Sequence, residues 1–205
     1  MYGEHYQVYG ATQCPNCNQV HAPTHQIPET QRSRFRLMQL MSEMSTTVTA
    51  GNAPVISGGA KQKFMVGLLI SGNDIIVAAS GGGYRTGAFV NAAAAKGYAV
   101  CPPRSATEGV NLSVVDRVIP SDQYAGCQAD GASPAGACAA PRLIQYALSQ
   151  PGMAANRANW EMSEIMYQPN TGRRAKDNLV WVHGLSAPHC ATCENLVPLL
   201  MCPDT

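Results

Sequence analysis

Phe64-Met65-Val66-Gly67-Leu68-Leu69-Ile70 and Ile75-Ile76-Val77-Ala78-Ala79 flank the four residues Ser71-Gly72-Asn73-Asp74. Two apolar, β-prone runs joined by a short Gly/Asn/Asp turn predict a β-hairpin. Neither arm alternates polar with apolar residues. A strand that is apolar on both sides must be covered on both sides, so the hairpin is expected between helices.

Outward from the hairpin, the pattern alternates between helix and strand. Gln31 to Met44 predicts a helix, with Phe35, Leu37, Met38, Leu40, Met41 and Met44 forming a broad apolar stripe. The stretch 46–60 reads as a loop, and residues 1–30, rich in Pro, His, Asn and Gln, as irregular structure. Ala88 to Lys96 predicts a helix stopped by Gly97. Val110 to Ile119 predicts a strand inside the Gly/Ala-rich region 81–137. Ala137 to Ser149 predicts a helix with Leu143, Ile144, Ala147 and Leu148 on one side, closed by Pro151-Gly152. Pro141 is tolerated because it lies in the first turn, where its missing N–H costs little. Ser163 to Tyr167 and Leu179 to Val182 are short strand candidates, with Leu179 to Val182 or part of the 81–137 insert expected to fill an edge of the sheet. Cys190 to Met201 is the last helix, which Pro198 should kink or end. The order of elements predicts an α/β fold.

The chain has 205 residues, 45% of them hydrophobic and 13% charged, with a net charge of +1. That composition describes a globular chain rather than a disordered one. A domain gripping nucleic acid mainly by its phosphates would be more basic. Two local basic clusters, Arg32/Arg34/Arg36 and Arg173/Arg174/Lys176, read first as solvated faces. The run Phe64 to Ser80 is too short and too polar at its centre to span a bilayer. The start, Met1-Tyr2-Gly3-Glu4-His5, lacks signal-peptide character. The chain is therefore expected to stay in a cytoplasm, or to be delivered by information carried elsewhere.

Eight cysteines are many for a cytosolic protein, and their spacing argues metal before disulfide. Cys190 and Cys193 lie three apart at a helix start, so both thiols share one face. The helix dipole and exposed N–H groups at that end favour thiolate. Cys138 occupies the equivalent place on the preceding helix, in Cys138-Ala139-Ala140-Pro141. Three thiolates leave a tetrahedral ion one open position, the arrangement of a catalytic zinc. A closed structural zinc, with Cys202 or His189 as fourth ligand, is the alternative.

The strings Cys138-Ala139-Ala140-Pro141 and Pro188-His189-Cys190-Ala191-Thr192-Cys193 together resemble the zinc-dependent deaminases of nucleobases, nucleosides and nucleotides. Their signature is a His or Cys, one residue, a Glu, then later Pro-Cys-x-x-Cys. The resemblance covers roughly residues 31–205. It implies a deaminase-like three-layer α/β/α sandwich, with a mixed sheet and zinc ligands at two helix N-termini. It implies hydroxide attack on the ring carbon that bears an exocyclic amine, with loss of ammonia. This chain departs from the pattern twice. The proton-shuttling Glu falls at position 140, which is Ala140, and His189 separates Pro188 from Cys190. Ala140 marks a natural pseudoenzyme, a spurious motif, or a Glu replacement that silences the enzyme; the last is expected.

Relatives place base-contacting residues before the cysteine pair, which nominates His183 and Ser186 as substrate contacts, with a surface His and a helix-cap Ser as the plain alternative. Tyr84 and Arg85, in the loop Gly81 to Gly87, are candidates to stack on bases or touch phosphate, and Asn73 joins them. A second, structural zinc on Cys14, Cys17, His21 and His25 stands beside free thiols with scattered histidines. Among the deaminases the long insert, the unusual N-terminus and Ala140 look most like the toxin branch. The expected substrate is cytosine in DNA, with RNA, adenine or guanine, and free nucleotides as alternatives. A toxin implies delivery into a target cell and an immunity protein that plugs its site. A non-catalytic zinc-stabilised binding module is the rival outside enzymology.

Overall fold

A computed structural model describes residues 8–9, 18, 26–49, 64–81, 87–101, 138–167, 173–176, 179–182, 184, 186 and 191–202. The hairpin forms as predicted, with β3 at Phe64–Ser71 and β4 at Asp74–Ala79. Its register pairs Ser71 with Asp74, leaving Gly72 and Asn73 as the two-residue loop. Gly72 has φ +62. A positive φ at the first central position is the pattern of a type II′ turn, which suits the right-handed twist of the two arms.

β3 is also paired along its whole length with antiparallel β6, Trp160–Tyr167. β6 begins three residues before the expected Ser163. On the other side β4 pairs in parallel with the short β5, Ala99–Val100. The mixed sheet therefore runs β5-β4-β3-β6. Alternate residues of its strands feed two separate cores. Val66, Leu68, Ile70, Val77, Ala79, Ile165 and Tyr167 join one. Leu69, Ile76, Ala78, Trp160 and Met162 join the other.

The first core is closed by α1, Gln31–Thr49, and α2, Gly87–Lys96. Leu37, Leu40, Met41 and Met44 of α1 are buried there, against Phe89, Ala92 and Ala93 of α2. The small alanines let the two helices approach closely. α1 runs five residues past Met44, through the start of the stretch read as a loop. α2 stops at Gly97, φ +68, where the amides of Gly97 and Tyr98 bond the carbonyls of Ala94 and Ala93. That pair of bonds is a Schellman end, and glycine supplies its left-handed residue without strain.

The second core is closed by α3, Ala139–Ser149, by the short α4, Pro151–Ala155, and by α5, Ala191–Met201. Leu143, Ile144, Ala147, Met153, Leu196, Val197 and Met201 lie in it. Helices thus cover both sheet faces, as the doubly apolar strands demanded. Pro151 does not simply close the preceding helix. It opens α4, where its fixed φ suits a first turn. Pro198 sits inside α5 and does not end it.

Two expectations are corrected at the edges. Residues 1–30 are not wholly irregular, because β1, Val8–Tyr9, pairs with β2, Ile27–Pro28. Leu179–Val182 does form a strand, β8, but it pairs with β7, Arg173–Lys176, rather than with the main sheet. The free side of β6 is met instead by the chain on its way to α5. Gly184 donates its amide to Met166 O at 3.0 Å, and Ser186 bridges Ile165. The strand predicted at 110–119 lies outside the described residues.

Candidate functional site

α3 begins where β3 has no side chain. A Cβ at Gly67 would lie 2.8 Å from Leu143 Cδ1, 3.1 Å from Ala139 Cβ and 3.2 Å from Glu164 Cγ. The glycine lets the first turn of α3 rest on the sheet. Gly67→Ala is expected to cost about 1–3 kcal/mol, because Ala139 Cβ is fixed to a helix backbone and cannot swing aside. Gly67→Val should cost more. Chemical denaturation checks both, and an unchanged midpoint would refute the close approach.

Beside Gly67, its register partner Glu164 projects from β6 toward α3. Glu164 is buried, and its Oε1 accepts the Ala140 amide at 2.8 Å. A carboxylate thus satisfies an N–H of the first turn that has no partner within the helix, and the positive end of the helix stabilises its charge. The sequence signal was available. Glu164 stands in the inward register of Trp160 and Met162, where a polar residue is out of place.

Cys138 is the N-cap of α3, half-buried and extended, and its thiol makes no capping bond. It packs against the same core that holds Cys193, in the first turn of α5. The two helices are in contact. The structure therefore places two of the three predicted sulfurs on one side of the sheet, at two helix starts. Cys190 lies outside the described residues, as do His183, Tyr84, Arg85, Cys14, Cys17, His21 and His25. Among the described residues no group of three ligand-type side chains converges. The donors that are described fit zinc by their chemistry, being soft sulfurs at positive helix ends.

Cys101, at the end of β5, is a buried thiol. Burial pushes its pKa far above the ordinary thiol range, against a smaller opposing pull from Arg142. It stays protonated and is unsuited to be a thiolate ligand. Arg142, four residues after Cys138, donates Nη1 to Ala79 O at 2.9 Å.

Ser186 lies on the opposite face, in a polar cluster around Glu29. The Glu29 side chain is fully excluded from solvent. It accepts hydrogen bonds from Ser163 Oγ, from Ser186 Oγ at 2.9 Å and from Arg34 Nη2 at 2.8 Å. Arg34 also reaches Ser186 Oγ at 3.1 Å. The Ser186 hydroxyl is thus engaged in holding the chain to β6, and it caps no helix. The first basic cluster is likewise paired. Arg32 meets Glu161 at 3.0 Å, and Arg36 meets the Gln39 side chain at 3.2 Å.

Asn73 is exposed at the hairpin turn. It lines a cleft of about 410 Å³ with Asp74, Tyr146 and Gln150, at the far end of α3. Eleven helical residues separate that end from Cys138, on the order of 16 Å. The structure does not bring Asn73 to the cysteines. Among the described residues no helix is long and apolar enough to cross a membrane. Comparison finds no match to the chain among family models, curated proteins or solved structures. The functional argument therefore rests on the site's own residues.

Proposed function

We propose that this chain is a zinc-dependent nucleobase deaminase domain of the toxin type, in a form silenced at position 140. The observation that carries the reading is that two helices in contact on one side of a mixed sheet each carry a cysteine in or before the first turn, Cys138 and Cys193, packed on the same core. Helical cover on both faces of that sheet supports a deaminase-like sandwich.

In this reading Cys138, Cys190 and Cys193 hold zinc as thiolates, with the dipoles of α3 and α5 favouring the charge. Bound there, zinc would activate a water as nucleophile. The reaction adds that water's oxygen to the amine-bearing ring carbon and releases ammonia, turning cytosine into uracil. A proton must pass from the water to the ring nitrogen and the leaving amine. A carboxylate at position 140 would carry it, and Ala140 cannot. In DNA the base must be extruded or already single-stranded. Delivery into a target cell and an immunity protein belong to the same proposal.

One observation favours a second reading, a zinc-stabilised binding module. Ala140 is fully buried, and its amide already has a carboxylate partner in Glu164. A site complete without a second carboxylate is what a non-catalytic relative would show.

The test has two parts. Elemental analysis should find zinc that is lost in Cys138→Ser. The Ala140→Glu variant should deaminate a cytosine-bearing substrate when offered single- and double-stranded DNA, RNA and nucleotides, with base changes read by mass spectrometry. Zinc in a folded Ala140→Glu protein that deaminates nothing would favour the binding module. A chain that takes up no zinc would end both readings.

A further inference from the structure

The cleft of about 410 Å³ beside the hairpin turn is not used by the cysteine site. Its volume lies within the range of small-molecule pockets, roughly 300–1,000 Å³. Ile76 and Met153, both buried, give it an apolar base. The chain around it is fixed in place. Gly72-Asn73 is a tight two-residue loop, and Pro151 opens α4. Asn156, just past α4, donates Nδ2 to Ser71 Oγ at 3.2 Å, and Trp160 Nε1 donates to Met153 O at 2.9 Å. These bonds tie α4 to the hairpin and to β6. A cleft already held in shape costs a ligand little in ordering.

The polar lining is rich in acceptors. Among the described residues that line the cleft, Asp74 alone is charged. Its carboxylate has no ion-pair partner among the described residues. Arg32, which grips the same turn through Gly72 O, is committed to Glu161. Gln150 Nε2 donates to Ser149 Oγ at 3.1 Å, which leaves its Oε1 to accept. Asn73 adds a second amide, and Tyr146 a hydroxyl and an aromatic ring. Acceptors thus come from the turn and from the end of α3, around an apolar base. Such a lining calls for a positive ligand that donates from more than one point. A guanidinium meets that demand. It presents several N–H donors in a planar fork, is weakly hydrated, and stacks on aromatic rings.

We propose that this cleft binds a small guanidinium compound carried on a short apolar chain. Asp74 is its counter-ion, and Gln150 Oε1 and the Asn73 amide are further acceptors. The site is separate from the cysteines and does not rest on the zinc reading. It gives Asn73 a ligand of its own.

Full-length protein is titrated calorimetrically with n-butylguanidinium and with its neutral isostere, n-butylurea. The guanidinium should bind about tenfold or more tightly than the urea, the worth of one charge-assisted hydrogen bond. Asp74→Asn should remove that advantage. A Cβ at Gly152, which also lines the cleft, meets nothing within 4 Å. Gly152→Phe should therefore fold and, by filling the cleft, weaken guanidinium binding by about tenfold or more. Circular dichroism confirms that both variants fold, and if one unfolds the other decides. Equal binding of the two compounds to the unaltered chain, binding of neither, or an advantage that survives Asp74→Asn overturns the assignment. Undiminished guanidinium binding in Gly152→Phe would place the contact outside the cleft and overturn it too. A blocked arginine tripeptide that binds more tightly than n-butylguanidinium would overturn the small-molecule assignment in favour of a protein's arginine side chain.

Discussion

Under the proposed deaminase function, Ala140→Glu is expected to raise deamination by about 10²–10⁴-fold, the usual contribution of a well-placed general acid–base group. The same substitution is expected to destabilise the fold by about 1–3 kcal/mol. Both effects come from one place. Position 140 is in the first turn of α3, two residues beyond the Cys138 cap, and its side chain is fully buried. A longer side chain there must displace its neighbours or turn toward the open side of the helix start. It also brings a second carboxylate near Glu164, whose oxygen is 2.8 Å from the residue 140 amide. Like charges so close inside an apolar cluster repel. Glu164→Gln in the Ala140→Glu background removes that repulsion while keeping an acceptor for the amide. The double variant should regain part of the lost stability and keep its activity. Thermal denaturation and mass spectrometry of treated DNA read the two effects separately. A stability that falls further in the double variant would mean that Glu164 does not crowd position 140.

Glu29→Ala should be the most damaging single change on the other face of the sheet, costing about 3–5 kcal/mol. The carboxylate gathers partners from three separate stretches of chain: Arg34 on α1, Ser163 on β6 and Ser186 before α5. Its removal leaves Arg34, whose side chain is only 22% exposed, without its partner charge. Two hydroxyls lose their acceptor at the same time. Against a total stability of roughly 5–15 kcal/mol, such a loss should lower Tm by on the order of 10 °C. Glu29→Gln keeps the shape and one acceptor oxygen and should fall between. Arg34→Ala in the Glu29→Ala background should recover part of the loss, since no charge is then stranded. Hydrogen exchange should quicken at Gly184 and Ser186, which join β6 at the edge this cluster secures. A Tm shift under about 3 °C would show that the cluster does not hold that edge.

The local features of this protein were legible because their causes are local. The hairpin follows from two apolar arms and Gly72, and the end of α2 from Gly97. The burial of β3 and β4 on both faces follows from their lack of alternation. Misreadings arose where nearby residues did not decide the outcome. The Thr-rich end of α1 reads as a loop by propensity, yet it continues as helix. Leu179–Val182 has the composition of a main-sheet edge strand, but pairing with β7 forms a separate hairpin.

The candidate site divides in the same way. The cysteine spacing and the two helix starts come from the sequence alone, since i and i+3 fall on one face of any helix. The places of Glu164 beneath Ala140, of Arg142 at the end of β4 and of Glu29 beneath Ser186 come only from tertiary structure. Each contact joins residues far apart in the chain, and no local periodicity encodes which distant carboxylate or carbonyl a side chain will meet. Register and helix packing decide that, and here the missing side chain of Gly67 lets α3 come close enough for Glu164 to reach it.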